Sequence, residues 1–219
     1  MRSLGLADAE RPLGTLLVLG AHSDDGEIGC GASVLHLIDR HPSMRVVWVV
    51  MTAAGEREAE ARRSAEALLA DAGAAEIVVG GFRDGFLPYL GPDVKEFFEG
   101  LKGDVQPDLV LTHQRHDLHQ DHRMVCDLTW NTFRDTLIVE YEIPKWDGDM
   151  GAPNVFVPVS EDLAARKIAH LMEHFATQRS KRWFSEDLFM GLMRLRGMEC
   201  VSPSGLAEAF YGRKVLLDV

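Results

Sequence analysis

Unbroken apolar runs alternate with longer segments in which apolar residues recur at helical spacing over most of this chain. An unbroken apolar run is typical of a strand that is buried on both faces, whereas a spacing of three and four residues is typical of a helix. The pattern therefore predicts strands at residues 15–19, 45–51, 77–79, 108–112 and 136–141. It predicts helices at residues 25–39, 56–72, 94–101 and 121–134.

Strand and helix alternate four times, which is the pattern of a doubly wound α/β sheet with right-handed crossovers. Residues 144–154 are predicted to form a loop, and residues 155–159 an edge strand because the segment contains a proline. A serine cap predicts a further helix over 160–176, and the last forty residues show no clear period. We predict one Rossmann-like α/β domain over 15–219, with an irregular C-terminal part that completes the cleft, after a loose lead-in of residues 1–14.

The composition favours a cytoplasmic protein with a small-molecule partner. The chain has 219 residues, enough for one domain with a sizeable core, and its 23 basic and 34 acidic residues give a formal net charge of −11. This charge argues against nucleic acid or an anionic membrane surface as a partner. No apolar run approaches the ~20 residues of a membrane helix, and residues 1–12 precede no apolar signal-peptide core. Three widely spaced cysteines fit a reducing compartment, and a homo-oligomer remains open.

A polar cluster occupies the turn between the first predicted strand and the first predicted helix. Within residues 22–27 there are one imidazole and three carboxylates. In an open parallel sheet such a turn lies at the carboxyl end of the strand, where ligands bind. Taken alone, the cluster is explained equally well if Asp24 or Asp25 caps the helix and His22 is a turn residue.

A second cluster follows the fourth predicted strand, where residues 113–122 contain four His and two Asp. The first and fourth strands are expected to be neighbours or near neighbours, so the two clusters could face each other. Imidazole nitrogens and carboxylate oxygens suit Zn²⁺, and three protein ligands with one open position are typical of catalytic zinc. His119 and His122 share a helix face, so one could bind metal while the other faces the reacting group. Asp24 would then be free to act as a base.

Two histidines of the second cluster, His113 and His116, are interpreted as solvated loop residues. A single histidine in a polar loop needs no ligand to explain its presence. The two clusters together, in contrast, are poorly explained by helix capping or packing.

Both clusters resemble the motifs of one known family. Residues 21–27, AHSDDGE, resemble the AHPDDxE motif of the LmbE-like, or PIG-L, deacetylases, and residues 119–122, HQDH, resemble their HxDH motif. Shorter matches occur at residues 28–32, 63–67, 82–85, 167–169, 174–178 and 207–210. The resemblance covers most of the chain from the first strand onward. It implies a zinc-dependent hydrolase of LmbE-like fold that removes acetyl groups from N-acetylglucosamine-type sugars or glycoconjugates.

The resemblance also implies a role for each motif residue. The implied zinc ligands are His22, Asp25 and His122. Asp24 is implied as the general base that takes a proton from the metal-bound water. His119 is implied as a protonated group that stabilises the oxyanion or protonates the leaving amine, with Asp121 orienting it.

Two positions depart from the family pattern, and two further positions match it outside the motifs. Ser23 replaces a proline, which loosens the turn without removing a ligand. Asp117 stands where some members have a tyrosine near the oxyanion, so that role is either missing or supplied elsewhere.

Arg63 is expected to contact substrate, or alternatively to form an ion pair on an exposed helix face. Asp84 is expected to accept a hydrogen bond from a sugar hydroxyl, or alternatively only to make a turn.

Three other classes of function fit the two clusters less well than a deacetylase does. A nucleotide-binding Rossmann protein is disfavoured because the first turn has no Gly-x-Gly-x-x-Gly run and its carboxylates would repel a pyrophosphate. A metal-dependent phosphoesterase would need more bridging carboxylates than the two clusters supply. A metal-binding protein without catalysis would have no use for Asp24.

Overall fold

The computed structural model describes residue 5 and residues 12–216, and its strands form one seven-stranded sheet. The strands are β1 (Thr15–Gly20), β2 (Arg45–Val50), β3 (Ala74–Val79), β4 (Leu109–His113), β5 (Leu137–Tyr141), β6 (Val155–Pro158) and β7 (Ala207–Gly212). Their order across the sheet is β3-β2-β1-β4-β5-β7-β6. The first five are parallel, whereas β7 runs antiparallel to both β5 and β6.

Helices cover both faces of this sheet. They are α1 (Asp25–Arg40), α2 (Glu56–Leu68), α3 (Gly91–Asp104), α4 (Gln120–Thr132), α5 (Glu161–His174) and α6 (Glu186–Cys200), with a 3₁₀ helix at Leu87–Leu90 before α3. Along β1, Leu16 and Val18 join a core with α1, α2, α5 and α6, whereas Leu17 and Leu19 join a second core with α3 and α4. This alternation produces the three-layered packing, with one core on each face, of the predicted doubly wound sheet. Among the described helices, none is both long and apolar enough to cross a membrane.

The adjacency of β1 and β4 confirms the expectation on which the site depends. The two strands pair in parallel, with Leu16 opposite Leu109 and Val18 opposite Leu111. Their carboxyl ends therefore lie side by side at one edge of the sheet. The predicted edge strand is β6, which is the outermost strand. The largest differences in boundary are in α2, which ends at Leu68, in β3, which begins at Ala74, and in α3, which is three residues longer than predicted at each end.

The C-terminal part is more regular than the sequence predicts. The last forty residues include the whole of α6 and of β7, and β7 is inserted between β5 and β6. Its pairing partners, β5 and β6, lie about fifty to seventy residues earlier in the chain, so nothing local in its sequence shows that it belongs to the sheet. The predicted lead-in of residues 1–14 lies largely outside the described residues.

A buried ion pair connects this inserted strand to the helix that follows the first motif. The carboxylate of Glu208 on β7 accepts hydrogen bonds from the backbone N–H groups of Ala32 and Ser33, at 3.1 and 2.7 Å. It also accepts from Nζ of Lys167 on α5 at 2.5 Å, and Lys167 donates to the carbonyl of Ile28 at 2.6 Å. Both charged side chains are buried. This pair therefore joins α1, α5 and β7 behind the site.

Breaking this pair is expected to destabilise the fold. Glu208→Gln leaves the ammonium of Lys167 buried without a countercharge, which typically costs about 3–5 kcal/mol. The free energy of unfolding in urea measures this loss. In the matched control Glu76→Gln, the partner Arg45 is exposed, so a change of at most about 1 kcal/mol is expected. Equal losses in the two variants would contradict the assignment.

Candidate metal centre and active site

The two polar clusters meet at the carboxyl edge of the sheet, between the ends of β1 and β4. The turn after β1 is fixed at Ala21, whose carbonyl accepts a hydrogen bond from Thr52 Oγ1 at 2.7 Å. The Ala21 N–H donates to Nε2 of His113, the last residue of β4, at 2.9 Å. These two bonds hold the first motif against the neighbouring strands.

Three donor atoms at this edge are close enough to bind one ion. His22 Nδ1 lies 3.0 Å from His122 Nε2 and 3.2 Å from Asp25 Oδ2, and the third separation, between His122 Nε2 and Asp25 Oδ2, is 3.5 Å. Ligands about 2.0–2.1 Å from a tetrahedral zinc ion lie roughly 3.3 Å apart. The structure thus brings together all three of the expected ligands at the spacing that zinc would require.

A carboxylate is hydrogen-bonded to the outer nitrogen of His122, and two carboxylates lie near that of His22, which has no hydrogen-bond partner among the described residues. His122 Nδ1 lies 2.9 Å from Asp117 Oδ2, and His22 Nε2 lies 3.2 Å from Asp84 Oδ1 and 3.4 Å from Asp121 Oδ2. Metal-binding histidines characteristically donate their other ring N–H to such groups, which fixes the tautomer and the ring orientation. Asp117, which departs from the family pattern, therefore orients the ring of His122.

The charges of the three donors favour a cation between them. Burial alone would raise the pKa of Asp25, but the imidazoles of His122, His22 and His113 hold it well below its ordinary value. Burial would lower the pKa of His22, yet the charge of Asp25 and the hydrogen bonds to Asp121 raise it well above the ordinary value. Burial and nearby His113 lower the pKa of His122 to about 3. The pocket thus stabilises one positive charge, which a proton or a metal ion can supply.

Asp24 differs from its neighbour Asp25 because one of its carboxylate oxygens has no hydrogen-bond partner among the described residues. Its Oδ1 accepts a hydrogen bond from Arg57 Nη2 at 3.2 Å, whereas its buried Oδ2 has no partner among the described residues. Burial and repulsion from Asp25 raise its pKa, against the opposing effect of Arg57. A buried carboxylate with a free lone pair and a raised pKa is well suited to accept a proton.

His119 lies beside the metal donors but is arranged differently from the expectation. Burial and the charge of His22 lower its pKa, so the ring favours the neutral rather than the protonated form. Its Nδ1 accepts a hydrogen bond from the backbone N–H of Asp121 at 3.3 Å, which places the proton of the neutral ring on Nε2. One of its ring nitrogens lies within 4.8 Å of those of His22 and His122.

Within the described residues, the carboxylate of Asp121 makes no hydrogen bond with the His119 ring. Its two oxygens accept hydrogen bonds from the backbone N–H groups of Gly85 and Leu87, at 2.7 and 3.1 Å. Asp121 therefore fixes the loop after β3 against the site and faces His22. The expected orientation of His119 comes from the backbone of Asp121 instead.

Of the two expected substrate-binding residues, the structure places only Asp84 in contact with the site. Asp84 lies at the site, with its side chain 55% exposed and Oδ2 bonded to Arg57. Contacts with His22 lower the pKa of Asp84 to about 2. Arg63 is exposed on α2 and makes no hydrogen bond or ion pair with site residues in the described part of the chain.

His116 is exposed, in agreement with its interpretation as a loop residue, but the interpretation of His113 is wrong. His113 is fully buried because β4 extends to it, and its ring stacks on that of His122 with centroids 3.9 Å apart. Its Nε2 lies 3.2 Å from Asp25 Oδ2. Because that nitrogen already accepts the Ala21 N–H, His22 is the better third ligand.

Arg57 is the site residue that the sequence did not reveal. It lies in a segment of Ala, Glu, Arg and Leu in which every charge looks like part of a solvated helix face. Its reach to Asp24 and Asp84 depends on how α2 packs over the turn after β1, which no local signal shows.

The chain belongs to the PIG-L family, described as GlcNAc-PI de-N-acetylase, which residues 17–133 match. A protein of Escherichia coli K12 described as the uncharacterized deacetylase YaiS is 30% identical over 173 residues, covering 73% of this chain and 89% of that protein.

Two solved structures with the same fold have different activities in their descriptions. N,N'-diacetylchitobiose deacetylase from Pyrococcus horikoshii superposes with a TM-score of 0.65 at 21% identity, covering 93% of this chain and 86% of that one. A 4-carboxy-2-hydroxymuconate hydratase from Pseudomonas putida KT2440 superposes with a TM-score of 0.74 at 15% identity, covering 94% and 100%. At these identities the likeness concerns the fold alone.

Removing a metal donor is expected to reduce metal binding. His22→Ala and His122→Ala each delete one of three ligands, so zinc content after dialysis should fall well below one ion per chain. His116→Ala, which changes an exposed histidine of the same loop, should retain zinc. Elemental analysis of the dialysed proteins measures all three. Full zinc occupancy in both ligand variants would contradict the assignment.

Proposed function

We propose that the protein is a zinc-dependent N-deacetylase that acts on an N-acetylated amino sugar or glycoconjugate. The observation that carries this proposal is the three-donor cluster of His22, Asp25 and His122, beside a buried carboxylate whose one oxygen is free. Membership of the PIG-L family supports deacetylation as the reaction. The described activity of the chitobiose deacetylase, a structure of the same fold, supports a sugar as substrate.

The donor set fits zinc. Two imidazole nitrogens and one carboxylate oxygen are ligands that Zn²⁺ accepts, and three of them leave a fourth position open. When bound, zinc would polarise the amide carbonyl and lower the pKa of the water it holds to ~7. The cluster needs a positive charge to balance Asp25, which the ion would provide in place of the proton on His22.

Asp24 is the proposed general base. Its unpartnered Oδ2 accepts a proton from the attacking water as the new C–O bond forms. Its raised pKa brings its basicity closer to that needed at neutral pH. Its neighbour Asp25 cannot take this role because three imidazoles hold its pKa low.

His119 is the proposed hydrogen-bond donor to the developing oxyanion. The backbone N–H of Asp121 occupies Nδ1, so Nε2–H is the group that faces the reaction. A preoriented donor of this kind stabilises charge that develops only in the transition state. The proton that Asp24 has taken is then available for the leaving amine.

Asp84 is the proposed contact with the sugar. Its carboxylate is partly exposed at the mouth of the site and ionised, so it can accept hydrogen bonds from sugar hydroxyls. The formal net charge of −11 supports a small cytoplasmic glycoside or glycoconjugate, rather than nucleic acid, as the partner.

Metal-dependent amine release tests the activity itself. Zinc-loaded protein is expected to release primary amine from at least one member of a panel containing N-acetylglucosamine, N,N'-diacetylchitobiose and alkyl or aryl N-acetylglucosaminides. Treatment with a chelator should abolish release, and added zinc should restore it. Fluorogenic labelling of the amine measures the rate. Release that survives full metal removal would contradict the zinc mechanism, and no release across the panel would contradict the substrate class.

The variant Asp24→Asn tests whether the protein is a catalyst or only binds the metal. The variant keeps the size of the side chain but cannot accept a proton, so turnover should fall by ~10²–10⁴ while zinc content is retained. Asp25→Asn should lose zinc instead, because it removes a charged ligand. Amine release and elemental analysis of the two variants are compared. If Asp24→Asn loses the metal and Asp25→Asn keeps it, the two roles are reversed.

A further inference from the structure

One arginine outside both motifs contacts three residues of the site. Arg57, in the first turn of α2, donates from Nε to Ser23 Oγ at 3.1 Å and from Nη2 to Asp24 Oδ1 at 3.2 Å. Its Nη1 donates to Asp84 Oδ2 at 3.1 Å. Each nitrogen of the planar guanidinium has a different partner, so the side chain is held in one orientation across the turn after β1.

Arg57 provides the side-chain hydrogen bond that Asp24 receives within the described residues. The carboxylate of Asp24 is only 3% exposed and lies next to the like charge of Asp25. A buried carboxylate in that setting needs a partner both to offset desolvation and to fix its rotamer. Since Arg57 binds Oδ1 alone, the other oxygen, Oδ2, stays free.

Ser23 and Asp84 hold the guanidinium from its two other sides. Ser23 is buried, and its hydroxyl lies on the same turn as the carboxylate that Arg57 binds. Asp84 comes from the loop after β3, which Asp121 fixes through the N–H of Gly85. The position of Arg57 relative to Asp24 is therefore set by two separate segments. A lysine could not make these three contacts, because its ammonium is a single point on a flexible stem.

We propose that Arg57 is a positioning residue for Asp24: bound to Oδ1 and anchored on Ser23, it presents Oδ2 to the reacting water. This inference rests on the proposed function, in which Asp24 is the base. It assigns Arg57 chiefly to the chemical step, so its loss should lower kcat. KM should rise by a smaller factor, because Arg57 also bonds Asp84, the proposed sugar contact.

The first test compares single variants in amine release. Arg57→Ala is expected to lower kcat about 10- to 100-fold, because a base misplaced by about 1 Å can cost ~10²-fold. Zinc content should match that of wild type, and KM should rise by a smaller factor than kcat falls, because only the bond to Asp84 concerns the proposed sugar contact. Arg57→Lys should remain impaired, and Ser23→Ala should lower kcat by a smaller factor. The matched control is Arg62→Ala, which removes an exposed partner of Glu58 from the same helix and should keep wild-type kcat.

The second test asks whether Arg57 acts through Asp24. In the Asp24→Asn background, Arg57→Ala should cause little further loss, because coupled residues are not additive. Guanidinium ion added to the assay should restore part of the activity of Arg57→Ala and none of that of the double variant. A merely structural role would produce neither result. Rescue also keeps the test valid for a variant of reduced stability.

Several outcomes would overturn the inference. If wild-type protein is active and Arg57→Ala has the same kcat, the positioning role is rejected and the proposed function is left intact. A raised KM with unchanged kcat would make Arg57 a substrate-binding residue, and full additivity with Asp24→Asn would show that the two residues act independently. If wild-type protein and Arg62→Ala release no amine from any substrate, the proposed function fails, and the positioning role fails with it.

Discussion

The parallel pairing of β1 with β4 is the constraint on which the site depends. Each strand delivers one motif at its carboxyl end, and neither motif supplies all three of the proposed metal donors. Asp25 and His22 come from the turn after β1, whereas His122 comes from the first turn of the helix after β4. The apolar side chains of β1, buried in two cores, hold the pairing in register and so hold the donors within 3.5 Å of each other. The geometry of the site is thus a consequence of how the sheet is packed.

Around this edge the protein buries many ionisable groups, and successive shells of opposite charge surround Asp25. Asp25 lies among three imidazoles, the outer nitrogens of His22 and His122 face carboxylates, and those carboxylates bond to backbone N–H groups or cations. Buried charge is costly unless it is paired and hydrogen-bonded, so each shell stabilises the orientation of the one inside it. Asp24 Oδ2 has no hydrogen-bond partner among the described residues, which suits its proposed role as the proton acceptor.

The fold does not decide the reaction. A hydratase and a deacetylase both superpose on this chain over more than nine tenths of its length. The side chains that carry the proposed chemistry lie on the turns, in the two motifs, and on Arg57 of α2, which reaches over the first of these turns. The reaction depends on these side chains and their contacts, and the sheet is the scaffold that places them.

The order of strands and helices along the chain up to β6 and α5 followed from the apolar pattern, because buried parallel strands show as continuous apolar runs. The three proposed metal donors followed from the resemblance of two motifs to those of the PIG-L deacetylases, and both motifs come after strand ends, where ligands bind. The roles of His113, Asp117, Asp121 and Arg57 were decided only by the tertiary structure. Each depends on a contact that local pattern does not record, such as the 33-residue separation between Arg57 and Asp24. The insertion of β7 has the same cause, since pairing between distant strands depends on the packing of the whole sheet and not on the residues of one segment.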